Sequence, residues 1–330
     1  MWTDDARAKY RTIARAYPSS MSDAEWAVVR PFFPSPVATA AHGLLRGKNM
    51  LHPMRRILDG VFYVLRNGVT WRAMPLDFPP WQTVYFWFRR FAHEARFERL
   101  NAALVMLDRE EAGREASPTA AIVDSQTVKA TETPGPRAYD GNKKITGLKR
   151  HAMVDVDGRA LMIGFSKADM HDSVAGAAVL KAARPHWPFV KIVWADSGYR
   201  GARVEEAAAP AQVEIVSGLV GQKGFVVQKR RWVVERFFGW FNRARRLWRV
   251  CEAILETISA MIYAACAFTL MRRIAKRPSS SCFQESNGHL ERYPTRLTRL
   301  GIPKSTNFCF MFRSALRLGA RVCSPSFATP

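Results

Sequence analysis

Three carboxylates in this chain sit where their chemistry stands out. Glu235 is the only acid in the run from Lys223 to Arg249, which carries nine Lys or Arg residues. A basic segment needs no acid to hold a polyanion, because positive charge alone serves phosphate binding. One acid kept there points to a cation, such as a metal ion, seated beside the phosphates. Asp124 closes the apolar run AAIVDS, and Asp196 closes VKIVWAD. If those runs are neighbouring strands, the two carboxylates meet at one end of a sheet, where active sites collect when neighbours are parallel. Three converging oxygen ligands suit Mg²⁺, with Mn²⁺ as a substitute. A pair of such ions activates an attacking oxygen and stabilises a leaving one in phosphodiester displacement. Taken alone, Glu235 also reads as the i, i+4 partner of Arg231, worth about 0.2–0.5 kcal/mol; the strand-end aspartates favour the metal reading.

The elements that must position these acids follow from apolar patterning. From Ala120, five short Val- and Ile-rich runs read as strands: AAIVDS, HAMVDV, ALMIGFS, VKIVWAD and VEIVS. Asp157-Gly158 is a hairpin signal between the second and third. A helix from about Ser173 to Ala183 follows the third, with Asp172 as its N-cap. A short helix follows the fourth strand and long helices follow the fifth, so the expected class is α/β, a mixed sheet of about five strands flanked by helices. On the last of these helical stretches, Arg231, Glu235, Gly239, Asn242 and Arg246 recur at intervals of three and four and share one face. Gly239 leaves room there for a sugar-phosphate backbone. Val233, Val234, Phe237, Phe241 and Trp248 lie on the side available for burial.

The first hundred residues read as helical. Ser22 and Glu25 form a capping-box pattern, and Ile57, Leu58, Val61, Phe62 and Leu65 keep helical spacing up to Asn67-Gly68. Pro79-Pro80 opens another helix with Val84, Phe88 and Phe91, bearing Arg89 and Arg90. The pair fits either a helix-turn-helix DNA reader or an ordinary helical domain packed through aromatics. The expected division is a helical domain over 1–115, a catalytic domain over 116–277 and an appended tail over 278–330, which holds eight serines and three of the five cysteines.

Fifty basic against 28 acidic residues leave a formal charge of +22 in 330 residues, so the natural partner is a nucleic acid or an anionic membrane. Ile254 to Met271 is long and apolar enough to raise the membrane question, but a buried core helix reads the same way and is favoured. The charged N-terminus has no apolar signal core, which points to the cytoplasm. The cysteines lack the paired spacing of a zinc site or a disulfide framework.

Together, VDSQTVKATE, YDGNKKITGLKRHAMVDVDG, WADSGYRG and RRWVVERFFGWFNRARRL resemble the DDE transposases of bacterial insertion sequences, specifically the group called family five. These pieces cover most of Ala120 to Leu247, and LRNGVTWRAMP is similar to that group's N-terminal helical domain. The resemblance implies an RNase H-like catalytic domain in which Asp124, Asp196 and Glu235 hold divalent ions. It implies cleavage of double-stranded DNA at terminal inverted repeats, joining of 3′ hydroxyls to target DNA, and a homodimer or larger assembly that pairs two ends. Related families carry Y-x2-R-x3-E-x6-K around the glutamate. Arg231 and Glu235 match it, whereas Gln228 and Asn242 replace the tyrosine and lysine, with Arg243 near enough to stand in for the latter. Candidate DNA contacts are Lys143, Lys144, Lys149 and Arg150 in a loop before the second strand, Arg200 beside Asp196, and Arg231, Arg236, Arg243 and Arg246 around the glutamate. Tyr199 is placed beside the scissile strand. His151 and His171 are taken as structural. Rival readings are another RNase H-like nuclease or resolvase, and a non-enzymatic DNA-binding regulator.

Overall fold

The computed structural model describes residues 17–34, 51–216, 232–241 and 243–277. The helical first part contains α1 (Asp23–Val29), α2 (Met54–Asn67), α3 (Trp81–His93) and α4 (Arg96–Glu111). The predicted capping box opens α1, with the Ser22 side chain accepting from the Glu25 amide and Glu25 from the Ser22 amide. Gly68 ends α2 in the left-handed region at φ 74°, a conformation that Gly adopts without a Cβ penalty. Residues 68–80, which include a 3₁₀ turn at Trp71–Ala73, connect α2 to α3. Val84, Trp87, Phe88 and Phe91 of α3 are buried, and Phe88 and Phe91 pack against Trp71, Phe97 and Phe33. The connection is therefore longer than the three or four residues of a helix-turn-helix, and aromatic packing occupies the inner face of α3.

Six strands follow, one more than the patterning predicts: β1 (Ala120–Lys129), β2 (Ala138–Asp140), β3 (Ile145–Asp155), β4 (Ala160–Lys167), β5 (Ile192–Ala195) and β6 (Gln212–Ile215). The extra strand, β2, is three residues long with Tyr139 exposed, so it has no apolar run to betray it. β1 pairs antiparallel with β3, whose other edge takes β2 and then β4. On the far side β1 pairs parallel with β5, and β5 with β6. The order β4-β3-β1-β5-β6, mixed in direction and flanked by helices, is that of an RNase H-like domain. The Asp157-Gly158 hairpin stands between β3 and β4, with Gly158 at φ 86°.

The helices of this part are α5 (Asp172–Ala183), α6 (Ala202–Ala208), α7 (Trp232–Phe241) and α8 (Leu255–Lys276). α8 is long and apolar enough to cross a membrane, and 61% of its most apolar window is buried. It packs on α1 to α4 and on β4, which joins the helical region and the sheet through one continuous hydrophobic core. A buried ionic network reinforces that junction. Arg159 binds Asp108 and Asp155, Arg109 binds Asp155, and Arg273 of α8 reaches Asp108.

Candidate active site

β1 and β5 carry the two aspartates to the same level. Their register pairs Ala120 with Ile192, Ala121 with Val193 and Ile122 with Trp194. Continued by two residues, the same offset sets Asp124 opposite Asp196. β5 ends there because Asp196 turns its side chain onto the backbone, accepting from the Gly198 amide at 2.9 Å and opening a 3₁₀ turn over Ser197–Tyr199. Asp124 accepts from the Ser125 amide at 2.7 Å. Both carboxylates are half-buried.

A third aspartate joins them. The N-cap of α5 is His171, whose ring accepts from the Ser173 amide, and Asp172 is the first residue of the helix rather than its cap. Asp172 Oδ1 accepts from Ser125 Oγ at 3.0 Å and lies 3.1 Å from Lys149 Nζ. A Cβ placed on Gly198 would lie 3.1 Å from Asp196 Oδ1 and 3.5 Å from Asp172 Oδ2, so Gly198 is the spacer between the two acids. No sequence signal separates this role of Asp172 from an ordinary cap, since both put an acid at the start of a helix.

Under the carboxylates lies a buried polar chain. The Tyr199 hydroxyl is 3.2 Å from His151 Nδ1, and His151 Nε2 is 2.8 Å from Ser166 Oγ. Burial, then the charges of Asp124, Asp172 and Asp196, raise the Tyr199 phenol well above its ordinary value, so it stays neutral. Burial lowers His151 to about 4, which keeps the imidazole neutral as well. Tyr199 is thus a floor beneath the acids, not the exposed strand contact expected from its place after Asp196. Its ring lies against Gly176, where an added Cβ would approach to 2.3 Å.

Glu235 is exposed on α7, as is Gly239, where an added Cβ would meet open space. The buried side of α7, with Val233, Val234, Phe237, Phe238 and Phe241, faces β1 and β3. The hard oxygen donors of Asp124 and Asp196 fit Mg²⁺ or Mn²⁺. Among the described residues no three His, Cys, Asp or Glu side chains are grouped closely enough to hold a metal ion.

The basic candidates divide by placement. Lys143 and Lys144 are exposed in the turn between β2 and β3, Arg200 is exposed just past the Asp196 turn, and Arg243 is exposed beyond α7. Lys149 and Arg150 lie inside β3, not in a preceding loop, because that strand begins at Ile145. Arg150 is 2% exposed and donates to the Leu247 carbonyl, and burial lowers its guanidinium to about 10. Arg236 turns away from Glu235, donating to the Asp157 carbonyl between Trp232 and Trp240. α7 stops at Phe241, so Arg246 leaves the predicted shared face and binds Glu252 and the Val69 carbonyl; Trp248, expected to be buried, is 58% exposed. Arg231, Gln228 and Asn242 lie outside the described residues.

Residues 21–101 match the family model for transposases of the IS4/5 family, and residues 115–271 match the transposase DDE domain. The chain belongs to the DDE transposases of the IS4/5 type. No curated protein and no solved structure matches it. A DDE transposase acts on DNA through metal-dependent cleavage and transfer, and the two matches meet this fold at its two parts: the first covers α1 to α3 and the start of α4, the second the whole sheet and most of α8.

Proposed function

We propose that this transposase binds the terminal inverted repeats of its element, cleaves them and joins the freed 3′ hydroxyls to target DNA. The observation that supports this reading is the parallel pairing of β1 with β5, whose register, continued two residues past Ile122–Trp194, leads to Asp124 and Asp196. Asp124 and Asp196 would hold the catalytic Mg²⁺, with Glu235 completing the site from α7. A metal held there would supply activation of the attacking oxygen and stabilisation of the leaving one. The chain's own residues do the remaining work. Lys149 neutralises Asp172, and Asp172 through Ser125 fixes the β1 backbone next to Asp124. Tyr199 and His151 exclude water beneath the aspartates and hold them as a preorganised pair. Lys143, Lys144 and Arg200 bind phosphates at the exposed rim, and Gly239 gives the sugar-phosphate backbone clearance beside Glu235.

The same reading assigns DNA binding to residues 1–115, catalysis to 116–277 and no separate function to the tail over 278–330. It also assigns a cytoplasmic location and an assembly of at least two subunits to bring two ends together. Asp124→Asn should abolish cleavage of end DNA in Mg²⁺ while leaving end binding intact, and pre-cut ends should be joined only by the parent protein. Cleavage by the purified Asp124→Asn protein would refute the assignment. Cleavage without joining of pre-cut ends would leave a nuclease instead.

A further inference from the structure

Away from the strand-end aspartates, an open cleft runs between the end of α2, the end of α7 and the C-terminal half of α8. Five cations line it, Arg66, Arg243, Arg272, Arg273 and Lys276, and among the described residues no carboxylate does. Arg66, Arg243 and Lys276 are exposed and have no carboxylate partner among the described residues. The other two cations are held over ring faces: Arg272 lies 4.1 Å from the centre of Phe268, and Arg273 5.9 Å from that of Trp240. Both are also bonded within the chain, Arg272 to the Pro18 carbonyl and Glu25, Arg273 to Asp108, so they add positive charge to the cleft while Arg66, Arg243 and Lys276 are the cations placed to take a phosphate.

The three exposed cations of such a cleft call for an anion. Each longer stretch outside the described residues carries more Lys and Arg than Asp and Glu. We infer that the cleft takes the sugar-phosphate edge of one DNA strand, making it a second phosphate track where the N-terminal helices meet the DDE domain. This rests on the reading of the chain as DNA-acting. The strand is either the edge of a duplex or a single strand. None of the residues around Asp124 and Asp196 lines the cleft. One DNA segment seated here touches α2 and α8 at once, and so couples binding by the N-terminal region to the position of the catalytic sheet.

The test uses full-length Asp124→Asn protein, which holds the DNA uncut, with a labelled duplex and a labelled single strand titrated over a range of salt. Adding Arg66→Ala, Arg243→Ala and Lys276→Ala together should lower the slope of log K against log salt by about 2–3 on at least one probe. The probe that responds identifies the form of DNA bound. If the triple variant misfolds, Arg66→Gln alone should lower the slope by about 1. An unchanged slope on both probes, with the parent binding normally, overturns the inference. So does binding of polyglutamate that the triple variant loses while its DNA slopes stay unchanged, which would make the cleft a site for an acidic protein. Failure of the parent to bind either DNA is a different result: it defeats the DNA-acting reading itself.

Discussion

Asp124 and Asp196 are 72 positions apart, the same offset that relates Ala120 to Ile192 across the parallel pair of β1 and β5, with Asp196 one residue past the end of β5. Parallel pairing points both strands the same way, so both side chains leave the sheet at one edge with no loop needed to bring them together. Under the proposed metal site the two acids act as one unit, so single and double variants should not add. Asp124→Asn, Asp196→Asn and the double variant should each lose about 10³-fold or more of cleavage. Additive losses in a cleavage series would show that the two work independently.

Asp172 supports the pair from α5 through Ser125 and Lys149. Replacing it with Asn keeps an acceptor for Ser125 but leaves Lys149 without its counter-charge. Losses from disturbing such supporting contacts run to about 10–100-fold in metal affinity. Calorimetric titration of Mn²⁺ into Asp172→Asn protein should show a loss on that scale, with DNA affinity unchanged. Unaltered Mn²⁺ binding would confine Asp172 to helix stability.

The network around Arg159 predicts a stability effect remote from the chemistry. Arg159 is 3% exposed and bonds Asp108 at 2.6 Å and Asp155 at 2.9 Å, both fully buried. Arg159→Met removes the guanidinium shared by two buried carboxylates, leaving Asp155 to Arg109 and Asp108 to Arg273, at a cost of about 3–5 kcal/mol. Urea denaturation measures this, and a change under about 1 kcal/mol, the scale of a surface pair, would mean that Arg109 and Arg273 suffice.

Gly176 has no room for a methyl group, since its Cβ would lie 2.3 Å from the Tyr199 ring. Gly176→Ala should cost about 1–3 kcal/mol by overpacking. It should also weaken cleavage more than DNA binding, because the displaced ring is the floor of the acid cluster. Equal losses in both would argue against that floor role.

His151 sets a pH dependence. In the unfolded chain its imidazole titrates near the usual 6.5, and in the fold burial holds it at about 4. Between those values the unfolded state binds more protons, so the contribution of His151 to stability falls as pH drops from 6.5 to 4 and is constant above and below. The loss is about 3 kcal/mol across the window. Denaturation curves of the parent and His151→Gln should diverge in slope only there, by about one proton. Parallel curves would contradict the buried neutral imidazole.

Local signals in the sequence sufficed for several elements. The capping box at Ser22, the Gly68 stop, the Asp157-Gly158 hairpin and the alternation of strands with helices each depend on residues within a few positions. Patterning failed where partners decide. β2 is held by pairing with β3 and has no apolar run of its own, and the polar stretch Ser125-Gln126-Thr127 is strand because β3 lies beside it. Arg150 has the composition of a surface grip and the environment of a core residue, since extending β3 back to Ile145 buries it under Leu247.

The acids show the same division. Sequence alone determined that Asp124 and Asp196 end apolar strands and that Glu235 is the one acid of a basic stretch, because residue type and neighbours are local facts. Only the tertiary structure decided that β1 and β5 are parallel neighbours, that Asp172 reaches Ser125 next to Asp124, and that Glu235 lies on the exposed side of α7. Those outcomes depend on strand register and on which helix face finds the core, and both are set by contacts between residues far apart in the chain.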